Sequence, residues 1–228
     1  MIDRCGRKID YLRISVTDRC NLRCIYCMPE EGIRLTGYEM ILRDYEILRI
    51  CRVMAELGIT RIKITGGEPL VRRGVPELVR QIKEIPGIEK VTLTTNGILL
   101  KEQMRALADA GLDSLNVSLD TRDRECFREI TRRDLLDETL AGIEEAMKYS
   151  QVQLKLNCVP LGIQEQNLCE IVEFAQKYPV HVRFIEMMPI GYGSSFEGMS
   201  QEKIVVLLEQ KFGKLVPYEG KPLGNGPC

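Results

Sequence analysis

Short β-branched runs alternate with longer amphipathic stretches along almost the whole chain, and this alternation limits the available folds more than any other feature. Candidate strands are "YLRISVT" (Tyr11–Thr17), "RIKIT" (Arg61–Thr65), "KVTLTT" (Lys90–Thr95), "DSLNVSL" (Asp113–Leu119), "QLKLNCV" (Gln153–Val159) and "HVRFIE" (His181–Glu186). Between them lie helical patterns. "DYEILRICRVMAELG" places Ile47, Leu48, Cys51, Met54, Ala55 and Leu57 near one face and stops at Gly58, a helix-ending residue. "VPELVRQIKEI", "KEQMRALADAG", "LLDETLAGIEEAMKY" and "NLCEIVEFAQKY" behave alike. Strand and helix in strict alternation predict an α/β fold of parallel βα units. Six of them suggest a partial (β/α) barrel in one domain over residues 1–228, with a doubly wound open sheet as the alternative.

Chemistry in such folds sits at the C-terminal ends of the strands. The segments there are "TDRCNLRC", "GGEP", "NG", "DTRD", "PLG" and "MMPIG". The first carries the densest group of soft ligands in the chain. Nine cysteines occur, at positions 5, 20, 24, 27, 51, 126, 158, 169 and 228. An odd number in a chain of this length does not read as a disulfide scaffold. Cys51, Cys158 and Cys169 sit in apolar or helical patterns and read as buried small hydrophobes. Only Cys20, Cys24 and Cys27 cluster, as C-x3-C-x2-C. Structural zinc wants four ligands, and no fourth Cys or His is near; the one histidine, His181, falls on a later strand and reads as a packed residue. Three thiolates around a four-iron cluster would leave one iron open to a small ligand. A three-cysteine zinc site is the alternative.

Net charge is −1, so no basic field points to nucleic acid or an acidic membrane surface. The opening "MIDRCGRKIDYLR" lacks the apolar core of a signal peptide, and no apolar run reaches the ~18 residues of a membrane span. The expectation is a cytoplasmic protein.

The cysteine spacing, with Tyr26 before the last cysteine and "GGEP" (Gly66–Pro69) after the second strand, resembles the signature of radical S-adenosylmethionine (SAM) enzymes. In that family the open iron holds the methionine part of SAM, and an electron from the cluster cleaves SAM to a 5′-deoxyadenosyl radical. On the residues alone, the two glycines of "GGEP" offer unusual backbone angles and close approach to a ligand, and Glu68 a carboxylate for an ammonium group. "LRISVTDRCNLRCIYCMPEEG", "KITGGEPLVR", "TLTTNGILL", "LNVSLDT" and "RFIEMMPIG" together resemble the GTP 3′,8-cyclases, the radical enzymes that open molybdenum-cofactor biosynthesis. The resemblance implies one 4Fe-4S cluster on Cys20, Cys24 and Cys27. It implies SAM contacts at Tyr26, Gly66, Gly67, Glu68, Ser118 and Met188, and GTP contacts at Arg13, Lys63, Thr94 and Lys155. Arg13 and Lys155 alternate with apolar neighbours, so both can point into the barrel, where a triphosphate would offset an otherwise costly buried cation. A reductant protein is implied as partner, and the family often forms homodimers.

The family also has a second cluster, on three further cysteines after a "GNGP" stretch. Here that stretch is Gly224–Pro227, and the sequence given ends at Cys228. The expectation is a radical SAM core without the second-cluster segment, with its cyclase activity in doubt when alone. Two other readings stay open: a radical SAM enzyme acting on a peptide or haem precursor, and a non-enzymatic, metal-stabilised remnant.

Overall fold

The computed structural model describes residues 2, 4–163, 166–217 and 219; the "GNGP" stretch and Cys228 lie outside the described residues. Six strands form one sheet: β1 (Tyr11–Ser15), β2 (Arg61–Thr65), β3 (Lys90–Thr95), β4 (Ser114–Ser118), β5 (Gln153–Cys158) and β6 (His181–Phe184). They lie side by side in chain order, and every neighbouring pair is parallel. A parallel neighbour can be reached only by a crossover. Helices supply the crossovers: α1 (Asp44–Glu56), α2 (Val75–Lys83), α3 (Leu100–Asp109), the pair α4 (Arg124–Thr131) and α5 (Leu136–Ala146), and α6 (Leu168–Lys177), with α7 (Gln201–Phe212) following β6. A doubly wound sheet needs a point where strand order reverses, and this order never does. The sheet is a partial (β/α) barrel with β1 and β6 as its edges.

All six expected strands are present. β1 and β6 end two residues early, β5 ends one early, and β4 loses one residue at each end. Single backbone bonds carry the pairing onward, from Val16 N to Thr65 O at 2.8 Å and from Ile185 N to Cys158 O at 2.8 Å. α4 and α7 were not expected. In α4 four charged residues in eight hide a narrow apolar stripe of Cys126, Phe127 and Ile130, all buried.

The strand register separates two faces of opposite character. One carries Ile14, Ile62, Ile64, Val91, Leu93, Leu115, Val117, Leu154 and Leu156, all buried against the helices. The other carries Arg13 and Ser15, Lys63 and Thr65, Thr92 and Thr94, Asn116 and Ser118, Lys155 and Asn157, and His181 and Arg183. Because the side-chain period of a strand is two, this polar face needs no special backbone. Cys51, Cys158 and Cys169 are buried as expected. Among the described residues no helix is long and apolar enough to cross a membrane.

Candidate active site

The segment from Thr17 to Met28 folds over the C-terminal ends of the strands, and four sets of hydrogen bonds fix it there. First, the turn after β2 continues the β1–β2 ladder. Gly67 N donates to Thr17 O and Glu68 N to Arg19 O, both at 2.7 Å. A Cβ on Gly66 would lie 2.7 Å from Thr17 O, and one on Gly67 would run into the Arg19 carbonyl. The glycines are thus required by close approach to the cysteine segment's backbone. Neither has a positive φ, so the expected unusual backbone angles are absent. Second, Glu68, 1% exposed, accepts from Thr95 Oγ1 (2.6 Å), Asn96 N (2.7 Å) and Leu70 N (3.0 Å). Both carboxylate oxygens are therefore engaged in joining the ends of β2 and β3, an arrangement different from the expected pairing with a ligand ammonium. Burial raises its pKa, and the three donors act against that rise.

Third, Tyr26 donates its hydroxyl to Asp120 Oδ2 at 2.6 Å, while Asp120 Oδ1 accepts from Val159 N at 2.8 Å. Asp120 follows β4, so one buried carboxylate joins the cysteine segment to β4 and β5. Burial pushes its pKa up to about 6 despite those two donors. Fourth, α4 holds the segment from the side. Arg23 N donates to Thr131 O and Ile25 N to Ile130 O, both at 2.9 Å. Arg132, in the left-handed region at φ 56°, donates Nη1 to Arg23 O (3.0 Å) and Met28 O (2.8 Å), the two residues flanking the Cys24–Cys27 turn.

These ties bring Cys20, Cys24 and Cys27 around one cavity of ≈ 170 Å³, lined also by Tyr26, Gly66, Gly67, Glu68, Thr94, Asn96, Ser118 and Asp120. All three thiols are reduced and none is in a disulfide. Burial is the main reason their pKa values rise, and Cys27 reaches about 11. Cys24 and Cys27 are raised further by negative charge on neighbouring cysteines and on Asp120. Three thiols whose charged forms are disfavoured by burial and by one another are the donor set a cationic metal centre would satisfy. Two N–H donors, Leu22 N at 3.4 Å and Asn96 Nδ2 at 4.0 Å, face the Cys20 sulfur. Among the described residues no three His, Cys, Asp or Glu converge on a position for a single metal ion.

Below this cavity lies the polar face of the sheet. Arg13 and Lys63 are direct register partners across β1 and β2, and Asn157 and Arg183 across β5 and β6. Burial, with Arg13, Arg183 and Lys155 adding like charge, lowers the Lys63 pKa to about 8. Lys155 is buried and its pKa is lowered mainly by burial, then by Arg183. None of these four cations pairs with a carboxylate among the described residues. On the same face Asn157 Oδ1 is buried without a hydrogen-bond partner. A cationic floor lacking anions, with an orphaned acceptor beside it, is incomplete in the way a polyanionic ligand with donor groups would complete.

Of the residues expected from the sequence, Cys20, Cys24, Cys27, Tyr26, Gly66, Gly67, Glu68, Thr94 and Ser118 line the upper cavity. Arg13, Lys63 and Lys155 share the polar face with Thr94; Lys155 is buried as expected, whereas Arg13, on the edge strand β1, is exposed. Met188 is not brought in: it is 63% exposed, while its neighbour Met187 packs into a small cluster with Cys126, Ile130 and Leu161 beside Tyr26. His181 is half-buried on β6 opposite Lys155, a strand residue as expected. Four participants were missed. Arg183 alternates in "HVRFIE" as Arg13 does in its own strand, so its signal was present. Asp120 and Asn96 stand in strand-end segments already marked. Arg132 had no signal, because a left-handed position after a helix ordinarily reads as Gly or Asn.

Residues 14–177 match the model of the Radical SAM superfamily. The chain is 46% identical over 232 residues to the GTP 3′,8-cyclase of Pelotomaculum thermopropionicum, covering 100% of this chain and 71% of that protein. It is 46% identical over 229 residues to the enzyme of the same name from Heliobacterium modesticaldum, covering 100% of this chain and 68% of that protein. Among solved structures, Streptococcus suis SuiB superposes with TM-score 0.71 at 19% identity, over 88% of this chain and 45% of that one. TYW1 with a lysine-pyruvate adduct superposes with TM-score 0.67 at 15% identity, over 91% and 76%. At such identities the two structures speak for the barrel alone.

Proposed function

Because the chain belongs to the radical SAM superfamily, and to the GTP 3′,8-cyclases within it, we propose that it catalyses the first step of molybdenum-cofactor biosynthesis, the conversion of GTP to 3′,8-cyclo-7,8-dihydro-GTP. The observation that carries this reading is the stacking of two incomplete sites: three thiols around one cavity, above a sheet face of four cations with no carboxylate partner. Cys20, Cys24 and Cys27 would hold a 4Fe-4S cluster, and Tyr26, Gly66, Gly67 and Ser118, which line the same cavity, would face SAM. When bound, cluster and SAM supply the radical that takes hydrogen from the ribose 3′ carbon, ahead of its bonding to guanine C8.

The remaining roles belong to the chain itself. Arg13, Lys63, Lys155 and Arg183 hold the triphosphate, since charged donors bind phosphate oxygens strongly; Lys63 and Lys155 lie further inside the sheet than the exposed Arg13 and Arg183 on its edge strands. Thr94 and the orphaned Asn157 Oδ1 meet hydroxyl or amino groups of the nucleoside. Glu68, Asp120 and Arg132 orient the cysteine segment and touch no reacting atom. Met188 stays in the reading as a SAM contact only through movement of the exposed segment after β6. The proposal takes residues 1–228 as one radical SAM core domain, with a protein reductant, in a compartment that keeps thiols reduced.

The test is anaerobic. The chain is reconstituted with iron and sulfide, then given SAM, dithionite and GTP. Formation of 5′-deoxyadenosine and its loss in Cys24→Ala are expected; a cyclised GTP product is expected where the family's second-cluster segment is also present. Iron that loads without any SAM cleavage would sink the reading.

A further inference from the structure

Tyr11 stands on the polar face of the sheet, at the end farthest from the cysteines. It precedes Arg13 by two residues on β1, so its side chain leaves the same side of the strand. Its register partner is Arg61, one layer below the Arg13–Lys63 pair, and that pair lies one layer below Ser15 and Thr65. Thr65 lines the cysteine cavity. Tyr11 is thus four residues, or ~13 Å at ~3.3 Å per residue, from that cavity, toward the N-terminal ends of the strands.

The ring is half-buried, and Lys63 Nζ lies 6.0 Å from its centroid. That is the outer limit of a cation–π contact, so the ring does not neutralise the ammonium. Burial raises the phenol's pKa, while the charges of Arg13 and Arg183 act in the opposite direction. Arg183 belongs to β6 and Tyr11 to β1, the two edges of the sheet. The barrel therefore curls far enough for cations of both edges to act on one phenol. The Tyr11 hydroxyl has no hydrogen-bond partner among the described residues. In the same layer Arg61, whose Nη2 lies 3.8 Å from Asp10 Oδ2, keeps a buried Nε without a partner. Two donors of one layer thus lack acceptors, beneath cations that lack anions, and a phosphate oxygen would meet both needs.

We propose that Tyr11 reads the length of the substrate's phosphate chain: its hydroxyl donates to the terminal phosphate of a nucleoside triphosphate, and a diphosphate held at the same nucleoside position falls short of it. The proposal rests on the phosphate site assigned above to Arg13, Lys63, Lys155 and Arg183. With the nucleoside beside the upper cavity, the phosphates extend down the strands past the Arg13–Lys63 pair. Lys63 and Arg183 offset the charge of the terminal phosphate. The phenol adds a directional donor that only an oxygen at that depth can meet. Tyr11 binds and positions the substrate and takes no part in bond breaking.

Calorimetric titration of GTP and of GDP into the chain reads the effect. Tyr11→Phe keeps the ring and removes the donor. GTP affinity is expected to fall ~10-fold, as for loss of a hydrogen bond to a charged group, while GDP affinity and the melting temperature stay as in the parent. Tyr45→Phe, at an exposed tyrosine of α1, leaves the binding of both nucleotides unchanged. Lys63→Met locates any failure. If it leaves GTP and GDP binding as in the parent, the phosphate site is misplaced and the proposal falls with it. If it weakens GTP binding while Tyr11→Phe changes neither nucleotide, or both equally, the phosphate site stands and Tyr11 does not read chain length.

Discussion

The two faces of the sheet differ as sharply as the inside and outside of a membrane, although they are built from alternate residues of the same strands. On the helix side, Ile62, Ile64, Leu93, Leu115 and Leu156 are all 0% exposed. On the other side, Lys63 is one residue from Ile62, and Lys155 one residue from Leu156, yet both are cations crowded by further cations. The first face is what a stable α/β protein requires, because burial of aliphatic surface offsets chain entropy. The second opposes folding, because like charges in a partly desolvated site repel. A chain that keeps such a face does so for a ligand. Stability and function have been assigned to opposite sides of one pleat.

The largest expected effect tests the stabilising face. Ile62→Ala should lower the free energy of unfolding by ~2–5 kcal/mol, the range for a buried aliphatic truncated to alanine. Urea denaturation reads this, and a loss below 1 kcal/mol would show that the helix side is not the main source of stability. Its neighbour gives the opposite pattern. Lys63→Met keeps the stem and removes the charge, so unfolding stability should stay level or rise. GTP affinity should fall roughly tenfold or more, from the ~1.5–3 kcal/mol of a charged hydrogen bond. A Lys63→Met protein that melts early yet binds GTP normally would reverse the assignment of the faces.

A third change acts where the two faces meet, at the strand ends. Arg132→Gly relieves a left-handed residue, worth ~1–2 kcal/mol, but removes the donor that bridges the Arg23 and Met28 carbonyls. The two effects oppose each other in overall stability and agree at the cysteine segment. Thermal melting should shift by only a few degrees, by the usual scaling of ~2–4 °C per kcal/mol for a chain of this size. Loss of iron to a chelator should accelerate several-fold. Equal retention of iron would mean that the α4 backbone contacts hold the segment unaided.

The faces were legible in the sequence because strand periodicity is local. Alternating Ile and Lys in "RIKIT" states both the strand and its two environments, and the same holds for "LKLN" in β5. The cysteine spacing, too, is local. What escaped was everything that depends on distant backbone. The "GGEP" glycines look like a ligand-binding turn in isolation. Only the fold shows that Thr17 and Arg19 pass too close for a side chain. Glu68 reads as a free carboxylate until β3 supplies Thr95 and Asn96. α4 was invisible because its charges outnumber its apolar residues, and its buried stripe has meaning only beneath the cysteine segment. Met188 followed a resemblance in sequence, and the chain after β6 places Met187 inward instead.

The smallest expected effect, and the most specific to the cationic face, is a linkage to pH. Burial and the charges of Arg13, Arg183 and Lys155 lower the Lys63 pKa from 10.5 to about 8. Between these two values the unfolded chain carries the proton and the folded chain tends to lose it. Stability should therefore rise with pH from about 8 toward 10.5, and the penalty should be complete below 8. Ligand binding runs the other way. A triphosphate favours the charged lysine, so its affinity should fall as pH rises through 8, and binding near pH 8.5 should take up a proton. Calorimetry of GTP binding in two buffers of different ionisation enthalpy measures that proton directly. In Lys63→Met the uptake should vanish, although Lys155 remains. If it persists unchanged, the titrating group is another of the four cations, and the crowding assigned to Lys63 belongs elsewhere on the same face.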